Sequence, residues 1–276
     1  MTTAPLLDGR IAVVTGGGAG IGGGVSRVLA GEGAVVVMND IDASLAAENV
    51  ARIEAAGGRA VAVIGDIRDK ETVERLREVA LEVGEGRIDV LVNNVGDFRF
   101  GGGLFVNTTE EGWLDQYRIT LEHVLRCTHA FLPVMQAQGS GAIINNSTVE
   151  AIRGIPYNSI YSAMNAGVIA FTKSLAIEVG RDGVRVNCIA PDMADTLQTP
   201  AETMLRGRDP ELIGSWIPLG RFGRPDEYGT VVLFLASDLS SYVTGHVIPV
   251  DGGTMAASGW YGRYKKKGFT NLPDNP

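Results

Sequence analysis

The chain has 276 residues, 45% of them hydrophobic, with 24 basic against 32 acidic side chains for a net charge of -8. That apolar content supplies one large core and excludes both a disordered chain and a disulfide-stapled miniprotein. The acidic balance argues against sequence-independent nucleic-acid binding, which draws on basic surface.

Cys127 and Cys188 give no disulfide framework, and the scattered His123, His129 and His246 are too few for a structural zinc site. Wholly apolar runs such as 231–236 are far shorter than the ~20 residues that span a bilayer, and residues 1–10 lack the apolar stretch of a signal peptide. A cytoplasmic location with no membrane contact is expected. The basic stretch 263–267 reads as a solvated end.

In chain order, short Val- and Ile-rich runs at 11–14, 34–38, 60–64, 90–92, 142–144, 184–189 and 246–250 read as strands buried on both faces. Segments with helical spacing lie between them at 43–56, 70–83, 110–136, 159–180 and 225–236. This alternation predicts an α/β fold: a doubly wound parallel sheet of about seven strands with helices on both faces. Such sheets bind ligands at the carboxyl ends of their strands. Two strand ends lead into irregular stretches, 97–109 with Gly101 to Gly103 and 192–210, and both are candidate lids.

After the first strand, Thr15-Gly16-Gly17-Gly18-Ala19-Gly20-Ile21-Gly22 leads into a helix. Glycines there let backbone N–H groups at a helix start approach a pyrophosphate, whose charge the helix dipole favours. The second strand ends at Asp40, 18 residues past Gly22, where a carboxylate accepts from ribose hydroxyls and repels a 2′-phosphate. With no Arg or Lys in the loop or beside Asp40, NAD is expected rather than NADP. Asp42 is the better candidate for capping the helix that follows. Asp66, with Ile67 after it, either lies near the adenine or caps the next helix. Gly23 and Gly24 have no evident reason, since each costs a helix about 1 kcal/mol relative to alanine.

The spacing T-G-x-x-x-G-x-G at Thr15 to Gly22 resembles the short-chain dehydrogenase/reductase family. So do Asn93-Asn94-Val95-Gly96, Asn187-Cys188-Ile189-Ala190-Pro191, Arg221-Phe222-Gly223-Arg224-Pro225 and Val250-Asp251-Gly252-Gly253, in the family's order. The likeness covers about residues 9–253 and leaves 254–276 as a C-terminal extension. It implies a single Rossmann-like domain, a nicotinamide cofactor, hydride transfer between an alcohol and a carbonyl, and a homodimer or homotetramer. The cofactor residues implied are Thr15, Gly16, Gly18, Gly20, Ile21, Gly22, Asp40, Asp66, Ile67, Asn93, Asn94, Gly96, Pro191 and Thr196, the last matching the threonine that bonds the carboxamide.

The family's catalytic Ser, Tyr, Lys and Asn are only partly matched. Tyr161 fits, but the lysine position four residues later is Asn165. The serine position, thirteen residues before Tyr161, is Thr148, with Ser147 beside it, and the helical asparagine position is Thr120. A threonine hydroxyl donates as a serine does.

Asn165 lies one helical turn from Tyr161 but supplies no charge. A unit charge about 4 Å away at an effective dielectric near 20 is worth ~4 kcal/mol, or roughly 3 pKa units, on the phenol. The sequence therefore predicts slow chemistry near neutrality, an alkaline optimum for alcohol oxidation, and a greater gain in oxidation than in reduction from Asn165→Lys. Lys173, three turns on, is too distant to substitute, and Arg153 reads as a surface residue.

Candidate pocket residues are Glu150, Ile152, Ile155, Tyr157, Met193 and Leu197, with Phe98, Phe100, Phe105 and Trp216 from the two irregular stretches. Their character suggests a hydrophobic alcohol or ketone substrate. Two alternatives stand beside the redox reading: an NAD-binding protein of regulatory or assembly role with little turnover, and a non-redox lyase on the same fold using Tyr161.

Overall fold

The computed structural model describes residues 4–257 and 259–271. Seven parallel strands form one sheet: β1 Ile11–Thr15, β2 Val35–Asp40, β3 Arg59–Ile64, β4 Val90–Asn93, β5 Gly141–Asn146, β6 Val184–Pro191 and β7 Val247–Val250. Their spatial order is β3-β2-β1-β4-β5-β6-β7, so the winding direction reverses between β1 and β4. At that reversal the flanking loops part and leave a crevice at the carboxyl ends of the strands.

Side chains alternate across each strand, so neighbouring valines serve opposite layers. Val14, Val36 and Met38 pack with Val25, Leu29 and Val232 on one face. Val13, Val37 and Leu91 pack with Leu76, Phe131 and Leu175 on the other. The first face is covered by α1 (Gly20–Gly31) and α9 (Pro225–Ala236), with α2 (Ala43–Ala55) alongside. The second is covered by α3 (Lys70–Val83), α5 (His123–Gln138) and α6 (Ser159–Val179). The α6 helix is long and apolar enough to cross a membrane, yet it packs on the sheet through Val168, Thr172, Leu175 and Val179.

Gly24 is explained by helix crossing. A Cβ there would stand 2.4 Å from the Pro225 carbonyl carbon, and one at Gly229 would stand 3.0 Å from the Gly24 carbonyl oxygen. The two glycines bring α1 and α9 into backbone contact, and that packing offsets their helix cost.

Three expectations change. The helical stretch 110–136 is divided into α4 (Glu110–Tyr117), a π-turn at Arg118–Glu122 and α5. Asp66 caps no helix: Asp69 stands at the cap position of α3, and Asp66 instead takes Arg68. The basic tail is also more than a solvated end. Strands β8 (Tyr261–Gly262) and β9 (Phe269–Thr270) pair as a hairpin whose Tyr264 hydroxyl donates to Asp209 at 2.8 Å, while Lys265 pairs with the same carboxylate at 2.9 Å. This ties the hairpin to the segment carrying α7 (Ala201–Leu205) and α8 (Ile213–Trp216).

Candidate active site

The crevice is a cleft of about 710 Å³. One part of its wall is built by the glycine loop. Gly16 and Gly20 have φ of +63° and +56°, a backbone shape that turns β1 sharply into α1. A Cβ on Gly22 would lie 2.1 Å from the Gly16 carbonyl oxygen, so only glycine permits this turn to close. Ala19 offers no capping side chain, and Gly20 and Ile21 line the cleft. The first-turn amides of α1 thus point their positive dipole end at the cleft without a protein acceptor among the described residues. This cradle fits a dinucleotide's phosphates.

Asp40 lines the cleft beside it. One carboxylate oxygen accepts from the Gly18 amide at 2.9 Å and the other from the Asp42 amide at 3.0 Å. Asp42 caps α2 by accepting from the Ser44 and Leu45 amides. Asp66 and Ile67 reach the cleft from the end of β3, and Asp66 grips Arg68 through both oxygens. That guanidinium, first through its hydrogen bond, holds the Asp66 carboxyl below its ordinary range.

Asn94, Gly96, Pro191 and Thr196 also line the cleft. Asn94 donates to the Thr15 carbonyl at 3.0 Å and accepts from Asn146, which locks the end of β4 to β1 and β5. Thr15, Gly18 and Gly22 shape the loop from behind rather than lining it. Asn93 departs from expectation: its side chain is fully buried and donates to Thr128 and Asn145, because strand alternation turns it into the sheet when Asn94 turns out.

Elsewhere the cleft gathers Tyr161, Thr148, Ser147, Asn165 and Thr120. Ser147 donates to the Asn165 carbonyl at 3.1 Å, so it fastens β5 to α6. Thr148 accepts from the Glu150 amide at 3.3 Å, and its proton rests on the Pro191 carbonyl at 3.3 Å. Asn165 is 3% exposed and donates to the Tyr161 carbonyl at 3.0 Å. Thr120 sits in the π-turn and accepts from Gln116 at 2.7 Å.

Burial pushes the Tyr161 phenol well above its ordinary pKa, and the Glu150 carboxylate pushes it further, against a smaller opposing pull from hydrogen bonding with Thr148 and Asn165. The side chains lining the cleft include no lysine or histidine among the described residues. Its cations are Arg68 and Arg99, each held through both oxygens by its own aspartate, Asp66 and Asp97.

Arg153 is no free surface residue. It pairs with Asp192 at 2.8 Å, and Asp192, whose side chain is 4% exposed, also accepts from Thr254. This carboxylate ties together the chain after β5, β6 and β7, through partners that lie far off in sequence.

Glu150, Ile155, Met193, Leu197, Phe98, Phe100 and Trp216 line the cleft as expected, joined by Met204 and Ile119. Ile152, Tyr157 and Phe105 do not. Phe105 stacks on Trp113 with ring centroids 5.7 Å apart, and Tyr157 spends its carbonyl on the Gly103 amide at 2.7 Å. The 101–103 stretch is therefore docked against the entry to α6.

A doubly wound sheet with a glycine-rich turn at its switch point and a tyrosine facing the cleft defines a nucleotide-binding α/β protein of Rossmann type. The family described as enoyl-(acyl carrier protein) reductase matches residues 16–255. A 3-oxoacyl-[acyl-carrier-protein] reductase of Thermotoga maritima is 39% identical over 249 residues, covering 90% of this chain and 99% of that one.

Among solved structures, levodione reductase superposes with a TM-score of 0.84 at 32% identity, covering 91% of this chain and 99% of that one. A putative NAD(P)-dependent gluconate 5-dehydrogenase from Beutenbergia cavernae with bound NADP at low occupancy gives 0.83 at 33% identity over 92% of this chain and 100% of that one. The chain belongs to the short-chain dehydrogenase/reductase family of oxidoreductases.

Proposed function

We propose that this protein is an NAD-dependent oxidoreductase that interconverts an alcohol and a carbonyl on a hydrophobic small molecule, and that near neutral pH it works as a carbonyl reductase. The observation that carries this is Tyr161: a phenol kept neutral by burial and by Glu150, beside the Thr148 hydroxyl, in the cleft that the α1 amides open onto. Bound cofactor would supply or accept the hydride.

Thr148 can exchange its long bond to Pro191 for a substrate oxygen. The Tyr161 hydroxyl can then donate its proton to that oxygen as charge develops there, which is acid catalysis that needs no phenolate. Oxidation needs the phenolate, which burial and Glu150 both disfavour. Asn94, Gly96, Pro191 and Thr196 would hold the nicotinamide end, and Asp66 and Ile67 the adenine end.

NAD is proposed over NADP because Asp40 places a carboxylate at the end of β2 and the nearby Arg68 is already paired. Phe98, Phe100, Met193, Leu197 and Trp216 provide the apolar wall that selects a hydrophobic substrate. One domain over the whole chain, a cytoplasmic location and assembly as a homodimer or homotetramer complete the proposal.

A second reading has its own support: with no lysine lining the cleft among the described residues, the protein binds NAD without turnover. Following NADH absorbance with a panel of cyclic and aryl ketones at pH 6 to 7 separates the two. Ketone-dependent NADH loss supports the reductase, while tight NADH binding with no loss at any pH supports the binder.

A further inference from the structure

We propose that Glu150 supplies the proton that restores Tyr161 after each reduction, filling the place in the proton path that the missing lysine leaves. The inference rests on the reductase reading above. In that reaction the Tyr161 O–H bond breaks as its proton passes to the substrate oxygen, which becomes the alcohol, and a phenolate remains. That phenolate must regain a proton before the next turnover. Glu150 gives its carboxyl proton, directly or through one water, the Tyr161 O–H bond re-forms, and the Glu150 carboxylate recovers a proton from solvent through the open cleft.

The geometry singles out this residue. Glu150 and Tyr161 line the same cleft, as does Thr148, which takes the Glu150 amide. The other carboxylates facing the cleft already hold donors. Asp66 and Asp97 grip Arg68 and Arg99, Asp192 holds Arg153 and Thr254, and Asp40 takes the Gly18 and Asp42 amides. The Glu150 carboxylate takes no hydrogen bond from the described residues, so its proton is free to move.

The charged groups facing Glu150 are Asp192, at the end of β6, and Arg153, on its own loop; Tyr161 on α6 is the titratable group beside it. Burial and then the Asp192 charge push its carboxyl up to about 7, against a smaller opposing effect of Arg153. A carboxyl of that strength is protonated in part near neutrality and is far more acidic than the Tyr161 phenol. Transfer to the phenolate is therefore downhill.

The test compares the wild type with Glu150→Gln and Glu150→Asp. NADH binding checks that each variant folds, and ketone reduction is followed from pH 5 to 9. In the wild type kcat should fall as pH rises through about 7. Glu150→Gln should lose that limb and turn over at least about tenfold more slowly at pH 6, with the ketone KM little changed, and Glu150→Asp should recover part of the loss. Infrared titration of the free protein, as wild type minus Glu150→Gln, should show a protonated carboxyl disappearing with a midpoint near 7.

Unchanged kcat and an unchanged limb in Glu150→Gln, or a carboxyl midpoint in the ordinary carboxylate range, would overturn the inference while leaving the reductase reading intact. Absence of ketone reduction in the wild type would overturn both.

Discussion

Replacing Asn165 by lysine puts a charge where the structure has none. Asn165 is one turn after Tyr161, buried, and already hydrogen-bonded to the Tyr161 carbonyl, so an ammonium there would lie near the phenol. At about 4 Å and an effective dielectric near 20, it favours the phenolate by ~4 kcal/mol and lowers the phenol by roughly 3 pKa units. The chain has seven tyrosines, so subtracting the Tyr161→Phe spectrum isolates this one in an ultraviolet titration of tyrosinate.

The Haldane relation ties the two kcat/KM values to one equilibrium constant, so at a given pH both directions gain equally by that measure. The greater gain in oxidation is read in kcat, whose alkaline rise should move down by roughly 3 pH units. A tyrosinate midpoint that moves by less than about one unit would refute the electrostatic argument.

Asp40→Ser removes the carboxylate that a 2′-phosphate would meet, and the ratio of NADPH to NADH affinity, read by fluorescence titration, should rise by at least about tenfold. Gly24→Ala drives a methyl into the Pro225 backbone, and such overpacking costs about 1–3 kcal/mol. Thermal melting should then fall by roughly 2 to 10 °C. Asp209→Asn weakens the tie between the C-terminal hairpin and the α7 segment, so limited proteolysis should cut there sooner, with the remaining fold intact.

The strands, the glycine turn, Asp40 and the Asp42 cap were legible in the sequence because each rests on local chemistry: apolar runs, backbone conformations open to glycine, and a carboxylate at a fixed distance along the chain. What pattern alone could not give depends on contacts between distant segments. Gly24 is explained only by Pro225, some two hundred residues away. Arg153 looks like a surface residue until Asp192 lies beside it. Asn93 and Asn94 read alike in a motif, yet strand alternation sends one into the sheet and the other to the cleft. The influence of Glu150 on Tyr161 was equally hidden, since ten residues of loop and helix separate them along the chain.

The central claim is that Tyr161 acts as a neutral acid on a carbonyl in this cleft. Ketone-dependent NADH oxidation by Tyr161→Phe, measured against wild type at pH 6 to 7 with NADH affinity as the control, tests it most directly. Loss of turnover by about a hundredfold or more with binding retained is the predicted result. Equal rates in the two proteins would contradict the account.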